Sequence, residues 1–173
     1  MNIFYLDKNP RKAAEMMCDK HIVKMILETG QILSTVHREY GNDDERLYKA
    51  THKHHPSTKW AGKNWLTYDW TYQHFFALND EYWYRYGKDH LTFKKLNDLV
   101  WRCPKGMKMG VFEEPPQAMP DDCKIDGDSV AAYRLYYATH KKGFAKWTRR
   151  NKPEWMMSNQ ELSDCNFYID KEK

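Results

Sequence analysis

The sequence predicts an all-α fold, a compact single-domain helical bundle with a short extended N-terminal arm and a long Pro/Gly-rich loop. Three observations predict it. A helical pattern runs from Asn9-Pro10 to about His37, and another runs from Ser57 or Thr58 to about Tyr86, where Gly87 is placed to cap it. Between residues 103 and 127 the chain holds Pro104, Pro115, Pro116 and Pro120 with Gly106, Gly110 and Gly127, which marks an irregular loop. At 173 residues, with no internal repeat or linker, the chain has the length of one domain with a real core. The expected division is one helical domain over residues 1–156 and a loosely ordered polar tail over residues 157–173.

Each element has its own signal. Residues 3–6 are a short apolar run and read as an arm lying across the core. Asn9 reads as an N-cap with Pro10 at the first helical position. Cys18-Asp19 is a candidate break in the helix that follows. Gly30 inside it costs about 1 kcal/mol relative to Ala and allows a bend. Residues 41–44 form a turn, and residues 52–57 a loop closed by His55-Pro56. A shorter helix over 91–102 is stopped by Pro104. Asp126 or Asp128 caps a further helix to about His140, and residues 144–150 add another turn or two.

The formal net charge is only +4, but its distribution is uneven. Arg46, Lys49, Lys53, Lys59 and Lys63 accompany His52, His54 and His55 with no acid between 46 and 68, and residues 129–153 are likewise basic without an acid. Such segregation creates a local field that the net charge hides. The N-terminus lacks a basic region followed by an apolar stretch, and no apolar run approaches the roughly 20 residues of a spanning helix. Cys18, Cys103, Cys123 and Cys165 lie far apart with no Cys-x-x-Cys pair. The expectation is a cytoplasmic protein with reduced thiols, no closed zinc site, no cofactor and no membrane partner.

On the first long helix, His21, Met25, Glu28, Ile32 and Thr35 fall within about 40° of one direction. Ile22, Ile26 and Leu33 cover one flank, while Val23 and Leu27 cover the far side, so the helix is expected to be buried all round. Lys24 can pair with Glu28 at i,i+4. A sheltered carboxylate near a histidine suits proton transfer, since burial raises a carboxyl pKa towards working pH. The same residues suit a core histidine hydrogen-bonded to a glutamate.

Aromatic residues make up 15% of the chain, in excess of what one buried face needs. Over residues 59–88, Trp60 and Tyr68 with Lys63 and Asn64 read partly as core and partly as the lining of a pocket for a planar ligand. Over residues 133–152, Arg134, Lys142, Lys146, Trp147, Arg149 and Arg150 suit phosphates and stacked bases, or a solvated helix with its rings inward. His52, His54 and His55 do not easily converge on one ion from a loop. The proline-flanked Gln117 or Met119 would serve as a wedge in a duplex, or simply sit in a connection.

Asp19-Lys20-His21 followed by Glu28 seven residues after the histidine resembles the start of the catalytic helix in the phage pyrimidine-dimer DNA glycosylases of the endonuclease V type. Gly62-Lys63-Asn64, Tyr68-Asp69 and Arg85-Tyr86-Gly87 are similar to further landmarks of that family, and the resemblance spans residues 2–88. It implies an all-helical fold, a flipped-out nucleotide, Glu28 as the acid/base and charge-stabilising group, and His21 touching the nucleic-acid backbone or steadying the site. In that family an N-terminal α-amine, exposed by removal of Met, attacks C1′ and couples lyase activity to base release. Here Asn2 is too large for efficient removal of Met1. The amine then falls to Met1, or to Lys24, or the imine chemistry is absent; Leu27 also replaces the family's arginine. The expectation is a DNA-acting, glycosylase-like enzyme that takes a modified or damaged base from a duplex, hydrolytically rather than as a lyase. The rival readings are a non-catalytic nucleic-acid-binding accessory protein and an enzyme for a free nucleotide.

Overall fold

The computed structural model describes residues 1–158, so the expected tail lies almost wholly outside the described residues. Six α-helices follow one another: α1 (Pro10–Glu15), α2 (Asp19–Glu39), α3 (Pro56–Ala61), α4 (Trp65–Tyr86), α5 (Leu91–Val100) and α6 (Ser129–His140). Three single 3₁₀ turns, Asp121–Cys123, Lys142–Phe144 and Glu154–Met156, punctuate the rest, and there is no strand among the described residues. The all-α expectation therefore holds. The two long helices α2 and α4 pack against each other, with α1 on α4 and α3 and α5 against both.

Local chemistry sets most boundaries. The Asn9 side chain accepts the Arg11 and Lys12 N–H groups, and Pro10 starts α1. His55 accepts the Ser57 N–H ahead of Pro56, so α3 begins where the His-Pro pair stands. Gly87 at φ 71° ends α4 in a left-handed cap that a Cβ would strain. The predicted second helix is in fact two. Helix α3 ends at Gly62, and a reciprocal capping box between Asn64 and Thr67 restarts the helix at Trp65.

The structure bears on three further expectations. Helix α2 is unbroken through Gly30, whose role is close packing: a Cβ there would lie 2.6 Å from Thr92 Cγ2 and 3.0 Å from Leu96 Cδ1 of α5. Nor is α2 buried all round, since Val23 (43% exposed) and Leu27 (39%) face outward, away from the neighbours that cover its other sides. Residues 145–150 add no helix beyond the Lys142–Phe144 turn.

The long loop is a strap held by side chains, two of which, Trp60 and Asn64, the sequence presents as candidate binders. Trp60 Nε1 donates to Glu113 O, Asn64 Nδ2 to Val111 O, Ser129 Oγ to Pro115 O and Tyr133 Oη to Pro116 O. Asn2 Nδ2 donates to Ala118 O, so the strap also grips the N-terminal arm.

Candidate active site

The arm lies along α2. Glu28 Oε2 accepts the backbone N–H of Asn2 at 3.0 Å, while the Phe4 ring stacks on His21 with centroids 4.4 Å apart. Two residues of arm thus span the seven residues, about 10 Å, that separate the two side chains on the helix. The arm kinks at Phe4, where φ is 51°, and Asn2 Oδ1 supports the kink by accepting the Ile3 and Phe4 N–H groups. A bulky residue in that region costs of order 1–3 kcal/mol and needs such support.

Glu28 is recessed, with 14% of its side chain exposed, and Lys24 Nζ sits 3.1 Å from its Oε1. Each oxygen of the carboxylate therefore has one donor. His55 belongs to the same neighbourhood. Burial and the Met1 ammonium lower its pKa, while Glu28 pulls the other way. The loop carrying His55 is docked on α2 by the Thr51 N–H, which donates to Thr35 Oγ1, while the Thr35 hydroxyl proton goes to Gln31 O at 2.8 Å within the helix. His52 in this loop also takes a positive φ, 50°. Among the described residues the loop's three imidazoles do not converge on an ion site.

His21 stands apart from this group. Its Nδ1 lies 2.7 Å from Tyr137 Oη, which also accepts the Cys18 N–H at 2.8 Å, so the phenol donates to the imidazole. Phe4, Tyr137 and Phe144 enclose the ring. Burial, and then the charges of Lys141 and Lys24, push its pKa down to about 4. A neutral ring under Phe4 offers a phosphate no charge at neutral pH; it holds the arm in place. Sequence spacing puts His21 and Glu28 on one stripe, but the arm that covers the stripe caps one and leaves the other at its edge.

The low pKa has a consequence for stability. In the unfolded chain His21 titrates near 6.5, and in the fold near 4. Between those values the unfolded state binds more protons, so stability falls as pH drops from about 6.5 to about 4, by roughly 3 kcal/mol for this residue. His74, buried against Pro10 O and also pushed down to about 4, acts in the same window. Denaturant titrations at pH 7, 5.5 and 4.5 should show this loss, and His21→Gln should flatten it. An unchanged slope in that variant would remove His21 as a source.

The candidate nucleic-acid residues divide. Lys142 and Lys146 are exposed, as are Lys20 and Lys24 on α2; Arg149 is exposed too, but its guanidinium also donates to Tyr84 O. Lys20 lies over the Phe144 ring at 5.0 Å and Lys141 over Tyr136 at 4.6 Å, so a basic rim runs from α2 to the end of α6. The others have structural partners. Lys63 pairs with Glu113, and Gln117 closes a two-way bond with the Ile125 backbone. Tyr68, fully buried, joins His37 to Val100 O. Arg134 pins Leu6 O and Asp7, Trp147 Nε1 donates to Met16 O, and Arg150 grips Glu81. Trp60 packs edge-on against Trp70, and Asn64 caps α4. Sequence reasoning missed His55, Lys20 and Lys141 as neighbours of the site; the His55-Pro56 cap signal locates the first of these only once α3 is folded against α2.

A family model described as pyrimidine dimer DNA glycosylase matches residues 1–95, from the arm through α4 into α5. No curated protein and no solved structure matches the chain.

Proposed function

The chain belongs to the pyrimidine dimer DNA glycosylase family, and from that premise we propose that it cleaves the N-glycosidic bond of a damaged pyrimidine in duplex DNA with Glu28 as the central group. The observation that carries this reading is the pairing of Glu28 Oε2 with the residue 2 nitrogen at 3.0 Å while Lys24 holds Oε1. A carboxylate so placed stabilises positive charge developing at C1′ as the base departs. It also takes the proton from the nucleophile that adds to C1′, and the base leaves with the glycosidic electron pair. Because Glu28 is recessed, C1′ reaches it only when the nucleotide turns out of the stack. The exposed lysines of α2 and residues 141–149 supply the phosphate contacts that hold the flanking duplex.

The nucleophile is water or an amine. The residue 2 nitrogen is an amide while Met1 is present and cannot attack; freed as an α-amine it would already sit on its base. The test uses a duplex carrying one cyclobutane pyrimidine dimer. Cleavage of one glycosidic bond leaves the base tethered to its partner, so the readout is an alkali-labile abasic site. Borohydride in the reaction traps an imine, and mass spectrometry of the digested adduct locates it. Abasic sites without a trapped adduct mean hydrolysis, and an adduct at the N-terminus means amine attack. Salt-sensitive binding without abasic sites on this or other damaged duplexes would sink the proposal in favour of an accessory DNA-binding role.

A further inference from the structure

We propose that Asp122, Cys123 and His140 form a binding site for one Zn²⁺ ion, away from Glu28. The sequence shows no zinc pattern, because the donors lie 17 residues apart around the end of the strap. Folding collects them: one ligand atom from each lies within 4.8 Å of the other two, and His140 Nε2 is 3.7 Å from Asp122 Oδ2. In a tetrahedral zinc site with bonds of about 2.0–2.3 Å, donor atoms stand about 3.3–3.6 Å apart, so the three need to close by at most about 1.5 Å.

Lys141 follows His140 directly, with its ammonium over the Tyr136 ring; against that positive charge, three features suit a cation. Asp122 and Cys123 sit in the Asp121–Cys123 turn, which is fixed by Cys123 N–H to Pro120 O and Lys124 N–H to Asp121 O. His140 is the last residue of α6, where the negative end of the helix dipole favours positive charge. The nearby Lys124 ammonium is turned to Asp121. Cys123 is buried, and its Sγ meets only the Thr139 hydroxyl, at 3.5 Å, among the hydrogen bonds of the described residues. One thiolate, one imidazole and one carboxylate select zinc over calcium or magnesium, which take oxygen ligands. Three protein ligands leave the fourth position for water. The ion would tie the strap to α6, and the strap holds Asn2 through Ala118.

The test uses the full chain after treatment with a chelator. Titration with Co²⁺ should give a one-to-one complex with a thiolate charge-transfer band, displaced by Zn²⁺. Cys123→Ser should abolish the band, and the surface variant His140→Ala should weaken binding at least tenfold. His54→Ala, in the exposed loop, should leave binding intact. Zinc at a hundredfold excess over Kd should raise Tm by about 5–10 °C in the native chain and not in Cys123→Ser. No stoichiometric complex, or binding unchanged in both Cys123→Ser and His140→Ala, would overturn the assignment, whether or not the glycosylase reading stands.

Discussion

Glu28→Gln is expected to lower turnover on dimer-containing duplex by a factor of about 10²–10⁴, the usual contribution of a positioned acid/base group. The variant separates chemistry from structure. Glutamine has the same shape and keeps an oxygen to accept the Asn2 N–H. What it loses is the negative charge and the ion pair to Lys24, whose ammonium is largely exposed and so contributes at most about 1 kcal/mol to stability. Folding and salt-dependent DNA binding should therefore remain near those of the parent, with the loss in the single-turnover rate. Equal losses in binding and turnover would instead make Glu28 a positioning group for the arm. Lys24→Met supplies the contrast. It removes the same ion pair but leaves the carboxylate, so a small effect beside Glu28→Gln isolates the role of the charge.

The parts of this structure legible in the sequence are those whose causes are local. Asn9-Pro10, Gly87 and Asp128 mark their boundaries because each cap acts within a few residues. The break between α3 and α4 was hidden inside an unbroken aromatic run, since its capping box is completed by Asn64 and Thr67, two residues that read as polar helix positions. Gly30 suggests a bend on local grounds; its actual reason, Thr92, lies 62 residues further along the chain. The same division holds at the site. The Lys24–Glu28 pair follows from helical spacing, whereas the Asn2–Glu28 and Tyr137–His21 bonds cross 26 and 116 residues. Trp60, Tyr68 and Trp147 read as stacking surfaces because composition counts rings without saying where their polar tips point. In the fold each tip is spent on a partner: Glu113 O for Trp60, Val100 O for Tyr68 and Met16 O for Trp147.

Arg85→Met is expected to cost about 3–5 kcal/mol of stability, the cost of breaking a buried ion pair from one side. The Arg85 side chain is 0% exposed and ties three segments together: Glu81 Oε1 at 2.7 Å on α4, Asp19 Oδ1 at 2.8 Å on α2 and Glu15 O at 3.1 Å at the end of α1. Glu81, itself 2% exposed, is gripped from the other side by Arg150. Burial alone would push the Asp19 carboxyl up, but the Thr148 N–H, the Arg85 guanidinium and the Thr148 hydroxyl together hold it below the ordinary carboxylate range. One arginine thus fixes the first turn of α2, and with it residues 148–150 beside the basic rim. Methionine fills much of the volume and supplies no charge, so Glu81 keeps Arg150 alone and Asp19 keeps Thr148 alone. The double variant Arg85→Met with Glu81→Leu should recover part of the loss, because it removes the carboxylate left under-compensated. Chemical denaturation of the two singles and the double measures that coupling. A single-variant loss below about 1 kcal/mol would mean that Arg150 suffices to neutralise Glu81, and that α2 keeps its register without the α4 guanidinium.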